Sequence, residues 1–398
     1  MNNSTPPTIQ MSSPDITDAE RQAVMEVLNT PNLSMGPKID AFEAAVAKYT
    51  GVKHAIAVNS GTAGLHLCVR AAGIGQNDLV VTTPFSFVAS TNVIIFEKAI
   101  PVFVDVDPLT GNIDPLKAAA AVRELKEGGP AARHWLPRKG AEHPGPLKAL
   151  LAVDVFGQPA DYDALRKISN AAGLTLIEDS CESLGAEYKS RRTGTLGDYG
   201  VFAFYPNKQI TTGEGGIVVT NDGKAADFMR ALRSQGRAPG DTWLQHTYLG
   251  YNYRMDDMSA ALGIVQMNRI EELLKKRQQV ADWYAERLSE IQGVEAPVLV
   301  EETTRVSWFV YVVRFDAGLN RDTIAEDLKR HGIPVRPYFL PIHLQPYMVD
   351  LFGYRQGDFP VTEDLGNRGL ALPFSGKMTE EQVEIVCQTL RDCIRAGR

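Results

Sequence analysis

The sequence predicts an α/β fold: a large domain with a mostly parallel sheet covered by helices over residues 1–255, and a smaller α+β domain over residues 256–398. Three observations carry this. Short apolar runs alternate with turns and amphipathic stretches from His54 to Asp179, the pattern of strand, crossover helix and parallel strand. A long helical pattern then follows YNYRMDD (251–257), carrying Leu262, Val265, Ile270, Leu273 and Leu274 to about Ile291. Beyond it, an alternating strand and two helical segments remain.

Taken in order, Thr17 and Glu20 stand at capping-box spacing and open a helix through Val24, Val27 and Leu28. A second helix is expected from about Ile39 to Tyr49. HAIAV (54–58) reads as a strand that turns through Asn59, Ser60 and Gly61 into the helix TAGLHLCVRAA (62–72). The strand LVVTT (79–83), a helical stretch from Phe87 to Phe96 and the strand PVFVDV (101–106) follow. KALLAVDVF (148–156), a helix from Asp161 to Ala172 and the strand LTLIED (174–179) continue the alternation. The stretch from Glu127 to Pro146, rich in Gly, Pro and basic residues, is expected to be a solvated loop; His134 and His143 have no partner there at metal-ligand spacing. In the second domain WFVYVVRF (308–315) is the strand, and residues 322–331 and 379–395 are the helices.

Lys and Arg total 41 against 48 Asp and Glu, a formal net charge of -7. That balance removes the broad attraction nucleic acid or an anionic membrane requires, so an anionic ligand must be met by a local site. The opening MNNSTPPTIQ lacks the basic and apolar regions of a leader, and no apolar run reaches the length of a membrane span; a cytoplasmic protein is expected. Cys68, Cys181, Cys387 and Cys393 are scattered, without metal or redox spacing, and read mostly as small core residues.

Three features carry chemistry. In NSGTAGLHL (59–67) an apolar strand turns directly into a helix, exposing free N–H groups at the positive end of the helix dipole, which suits a phosphate; an ordinary N-cap has the same appearance. Asp179 ends an apolar strand, where ligands gather in parallel sheets, although it would serve equally to cap the next turn. Lys208 lies between a strand that stops at Pro206 and the glycine-rich turn 213–216, with apolar flanks suited to a nucleophilic amine rather than a solvated surface charge. Phosphate cradle, carboxylate and lysine, in that order, are what pyridoxal phosphate (PLP) requires.

These segments resemble the DegT family of PLP-dependent sugar aminotransferases over nearly the whole chain. The matching runs include LSMGPKIDAFEAAVAKYTG, AVNSGTAGLHL, TTPFSFVASTNV, PVFVDVDP, DVFGQPADYDAL, IEDSCESLGAEYKSRRTGTLGDYGVFAFYPNKQITTGEGGIVVTND and LGYNYRMDDMSAALG. The resemblance implies PLP fold type I, the aspartate aminotransferase-like fold. It makes Lys208 the Schiff-base lysine and proton shuttle, Asp179 the partner of the pyridine nitrogen, and Gly61, Thr62 and Ala63 the phosphate site. Phe87 matches the aromatic that stacks on the cofactor ring, and Glu182 stands near the cofactor hydroxyl, where glutamine is frequent elsewhere. Ala203 departs from the pattern, since many members carry a serine phosphate ligand there. Asn252 in GYNYR matches the residue a neighbouring subunit contributes to the phosphate, implying a homodimer with shared active sites.

The implied reaction moves an amino group from glutamate to a nucleotide-linked ketosugar, taken here as a 4-keto-6-deoxyhexose by likeness to perosamine synthases. A 3-ketosugar or ketocyclitol acceptor and a PLP-binding regulatory protein are the alternatives; related dehydratases lack the lysine. Lys38, Arg191, Arg192, Arg237 and Arg336 are candidate cations for the nucleotide diphosphate, each with a solvated role as the plainer reading. The 127–146 insertion is longer than the family leads one to expect, and no role is transferred to it.

Overall fold

The computed structural model describes residues 8–396; residues 1–7, on which the reading of the N-terminus largely rests, lie outside the described residues. Its centre is a seven-stranded sheet in the order His54–Val58, Gly216–Thr220, Tyr199–Ala203, Thr175–Asp179, Leu147–Val153, Leu79–Thr82, Ile100–Phe103. The last five run parallel, and only the pairings made by Gly216–Thr220 are antiparallel. Val80, Leu151, Ile177 and Val201 pack one face against the helix Gly61–Ala71, while Val81, Leu150 and Leu176 face the helices Pro115–Glu127 and Tyr162–Ala172. Helices therefore cover both faces, as the near-continuous apolar strands require. The carboxyl ends of the parallel strands gather at one edge, where Asp179 emerges.

The capping box is formed. Thr17 Oγ1 accepts from the Ala19 N–H at 3.3 Å, and the Glu20 carboxylate accepts from the Thr17 N–H at 2.7 Å. Glu20 does more than cap, for it is fully buried and its Oε1 accepts from Gln266 Nε2 (2.7 Å) and Arg269 Nη1 (2.6 Å). Burial raises its proton affinity, but the hydrogen bonds from Thr17, Gln266 and Arg269 together outweigh that and hold the carboxyl down at about 2. A carboxyl depressed on folding stabilises above its unfolded value, and that contribution disappears as pH falls from about 4.5 to about 2. Glu20→Ala leaves Arg269 with its exposed partner Glu272 and with Asp15, and should cost about 2–4 kcal/mol. Equilibrium urea unfolding checks this, and a loss within the error of wild type would contradict it.

The long helical pattern is two helices, Asp257–Asn268 and Ile270–Leu288. The break falls at Arg269, with φ -103° and ψ 5°, whose guanidinium is drawn to Asp15, Glu20 and Glu272 at 3.0, 2.6 and 3.1 Å. The first of these helices packs on the N-terminal helices Asp18–Leu28 and Pro37–Thr50. Further along, a three-stranded antiparallel sheet of Val294–Glu295, Tyr311–Phe315 and Gly369–Leu372 shares a core with the helices Arg321–Arg330 and Glu380–Ala396.

The stretch 127–146 departs from the expected loop. It opens with a short helix, Gly129–Arg133, because Gly128 at φ +74° ends the preceding helix and lets the chain start another turn. Its remainder is tied down: Trp135 Nε1 donates to Glu124 at 2.8 Å, and Arg138 forks onto Asp358 at 2.5 and 2.7 Å. All four cysteines are free, with Cys68, Cys387 and Cys393 buried. No helix among the described residues is long and apolar enough to cross a membrane.

Candidate active site

A cavity of about 400 Å³ opens at the carboxyl edge of the sheet, and the strand ends deliver its chemistry. Gly61, Thr62, Phe87, Asp179, Glu182 and Lys208 all line it. Of the other two expected residues, Ala63 is buried one position deeper in the helix, and Asn252 is exposed outside the cavity of its own chain.

The floor is the start of the helix Gly61–Ala71. Ser60 caps it, accepting from the Ala63 N–H at 3.1 Å, so the Gly61 and Thr62 N–H groups are the orphan donors of the first turn. Space here is tight: a Cβ on Gly61 would lie 2.7 Å from Ala203 Cβ and 3.0 Å from Cys181 Sγ. One on Gly216 would lie 2.6 Å from the Ser60 carbonyl, so the glycine-rich turn permits close backbone approach beneath the cap. Ala203 presents only a methyl to this floor.

Asp179 is 5% exposed and anchored from two sides. Ser90 Oγ donates to its Oδ2 at 2.6 Å and the Cys181 N–H to its Oδ1 at 3.2 Å. The turn that follows is held by Asp154, a fully buried carboxylate that the sequence reading missed. Its Oδ2 accepts from Ser180 Oγ and Ser183 Oγ, both at 2.7 Å, and its Oδ1 accepts from Tyr162 Oη at 2.7 Å. Burial raises Asp154 to about 6 despite these donors. Glu182, carried on the same turn, accepts from the Phe156 N–H at 3.0 Å, and burial pushes its proton affinity up against the pull of Lys208.

Lys208 reaches into the cavity that Asp179 and Glu182 line. Its Nζ lies 3.5 Å from Glu182 Oε1 and 3.7 Å from the centroid of the Phe309 ring, a second contact that the sequence reading missed. The backbone beneath is clamped by Arg277, which is buried and donates to the carbonyls of Lys208 (2.5 Å) and Asn207 (3.2 Å). Phe87 is 63% exposed at the cavity wall. Tyr205, Arg336, Tyr338 and Phe339 complete the wall, the last three from the C-terminal part of the chain.

Of the five candidate cations, only Arg336 lines this cavity. Arg191 and Arg192 sit on a hairpin, one paired with Asp163 at 2.5 Å and the other stacked on Tyr49 at 3.8 Å. Arg237 stacks on Trp243 at 4.4 Å, and Lys38 lies in the first turn of the helix Pro37–Thr50, where its backbone N–H, not its ammonium, donates to Asp257 at 3.0 Å. Among the described residues no group of three His, Cys, Asp or Glu could hold a metal.

Orphan N–H groups for an anion, a fixed carboxylate and a lysine amine converge on one apolar-walled space. This donor set fits a group that combines a phosphate, a basic ring nitrogen and a carbonyl. The fold and site define a fold type I aminotransferase. The chain belongs to the DegT/DnrJ/EryC1/StrS aminotransferase family, whose model matches residues 14–391. It is 37% identical to the GDP-perosamine synthase of Caulobacter vibrioides, covering 96% of this chain and 98% of that one. Spore coat polysaccharide biosynthesis protein SpsC of Bacillus subtilis is 36% identical, with 97% of each chain covered. A crystal structure of a DegT DnrJ EryC1 StrS aminotransferase from Brucella abortus superposes with a TM-score of 0.84 at 30% identity, covering 95% of each chain.

Proposed function

We propose that this chain binds pyridoxal phosphate through Lys208 and transfers the amino group of glutamate to a nucleotide-linked 4-keto-6-deoxyhexose. The observation that carries the reading is the placement of the Lys208 amine in a cavity shared with Asp179 and the orphan N–H groups of Gly61 and Thr62. Asp179 holds a proton on the ring nitrogen, and the Ser90 hydrogen bond keeps its second oxygen from turning away. When bound, the cofactor supplies an electron-withdrawing ring that takes up negative charge generated at the donor carbon. Lys208 moves the proton, first from the amino donor and then to the acceptor carbon. Phe87, at the cavity wall, would hold the ring by stacking. Asn252, exposed and outside its own cavity, serves the phosphate of a second copy's site.

The 4-keto acceptor rests on the likeness to the Caulobacter perosamine synthase, and Arg336 at the cavity wall supplies a cation for an anionic substituent. With glutamate as donor, kcat/KM should be at least about tenfold higher for a 4-keto nucleotide sugar than for the matched 3-keto sugar or a ketocyclitol, the discrimination that about 1.4 kcal/mol of differential transition-state binding supplies. Mass spectrometry and NMR of the products check it. A preference for either competitor would replace the acceptor while leaving the transaminase reading in place.

A further inference from the structure

Asn252 is framed by two tyrosines, and their surroundings are unusually well built for a surface segment. Backbone bonds hold residues 251–253 extended between neighbours: the Tyr251 and Tyr253 N–H groups donate to Leu232 and Arg233 (2.6 and 3.0 Å), and the Asn59 N–H donates to the Tyr253 carbonyl at 2.9 Å. Alternation along an extended segment sends Tyr251 and Tyr253 to one side and Asn252 to the other. On the tyrosine side their rings stack, 4.8 Å apart and 9° from parallel.

Both hydroxyls are then captured. Tyr253 Oη lies 2.9 Å from His66 Nδ1, and Tyr251 Oη donates to Glu97 Oε1 at 3.2 Å while accepting from Arg70. His66 Nε2 meets the same Glu97 oxygen at 2.7 Å, and Arg70 approaches the other carboxylate oxygen at 3.6 Å. His66 is 4% exposed, too deep for a solvated charge. Glu97 thus gathers three donors from two separate segments. His66 and Arg70 belong to the helix whose first turn floors the cavity, and Glu97 ends the helix that carries Ser90, the donor to Asp179.

We infer that His66, Arg70, Glu97, Tyr251 and Tyr253 form a positioning cluster that aims Asn252 away from its own subunit and into the cavity of a second copy. The cluster makes one subunit's cofactor affinity depend on the order of the other's 251–253 segment. It rests on the proposed sharing of Asn252 and adds the device that presents that residue. These five residues touch neither cofactor nor substrate; they act through Asn252.

The test uses mixed dimers of two tagged full-length chains. One chain carries Asn252→Ala and keeps Lys208; the other carries Lys208→Ala and keeps Asn252. The live site of this parent dimer combines Lys208 of the first chain with Asn252 of the second. Glu97→Gln or the milder Tyr253→Phe is then placed in one chain at a time, with pyridoxal phosphate dissociation constants and kcat measured for the live site and thermal midpoints for the dimer. Placed in the Asn252-bearing chain, either variant should weaken cofactor binding about tenfold, the size of one lost charge-assisted hydrogen bond. Placed in the Lys208-bearing chain, it should leave the dissociation constant within about twofold, because that chain's own residue 252 is already alanine. Equal effects from either placement, or an effect only from the Lys208-bearing chain, would overturn the cluster's role while leaving sharing intact. A parent dimer with no activity above the homodimeric variants would overturn the sharing of Asn252 and the cluster's role with it.

Discussion

Lys208→Ala is expected to lower transamination by about 10⁴-fold or more, because in the proposed function one amine serves both as the covalent anchor and as the general base of both half-reactions. The fold should survive. Lys208 Nζ makes one 3.5 Å contact with Glu182 and one ring contact with Phe309, while the backbone clamp from Arg277 does not involve the side chain. Truncation leaves Glu182 without its cation, but its carboxyl keeps the hydrogen bond from the Phe156 N–H at 3.0 Å. Circular dichroism and the thermal midpoint should therefore stay close to wild type while the visible absorbance of the lysine-bound cofactor disappears. Steady-state turnover within tenfold of wild type would show that another group performs the proton transfer.

Asp179→Asn is expected to lower kcat by about 10²–10³-fold with the cofactor still bound, the range for removing one preorganised electrostatic partner of the transition state. The single amide oxygen can keep the Cys181 N–H, which lies 3.2 Å from Oδ1, while the amide NH2 donates to the Ser90 hydroxyl, which lies 2.6 Å from Oδ2, so the loop should keep its shape. In the proposed function the substituted group would lack the charge that keeps the ring nitrogen protonated, and the ring would lose much of its capacity to take up negative charge. Ser90→Ala should give a smaller loss in the same direction, since it frees one oxygen of an otherwise intact carboxylate. Rates for the glutamate half-reaction, followed by cofactor absorbance, separate chemistry from binding. An unchanged single-turnover rate in Asp179→Asn would remove this carboxylate from the mechanism.

Much of this arrangement was legible before any coordinates. The apolar strands His54–Val58, Leu79–Thr82, Leu147–Val153 and Thr175–Asp179 announce themselves because burial on both faces demands near-continuous hydrophobic residues. The Thr17 capping box is visible because its reciprocal bonds span three residues. Lys208 stands out through local punctuation, with Pro206 before it and glycines after it. Hidden were the features that depend on distant partners. Asp154 becomes the anchor of the 180–183 turn only when the strand Leu147–Val153 lies beside Thr175–Asp179. Phe309 arrives from more than a hundred residues further along, and no local pattern marks it as a cavity residue; Arg336 stands among five candidate cations, with nothing local to separate it from the other four. The break at Arg269 was equally invisible, since its cause is a set of carboxylates beginning at Asp15. In the 127–146 stretch, glycine and proline suggested a loop, whereas Trp135 and Arg138 fasten it through side chains.

The central claim is that this cavity holds pyridoxal phosphate covalently on Lys208. Borohydride reduction of the holoenzyme, followed by peptide mapping with mass spectrometry, tests it most directly. A pyridoxyl group is expected on the peptide containing YPNKQITTGEGG, and it should be lost from that peptide when excess glutamate is added before reduction. A pyridoxyl group on any other lysine, or none on a protein saturated with the cofactor, would contradict it.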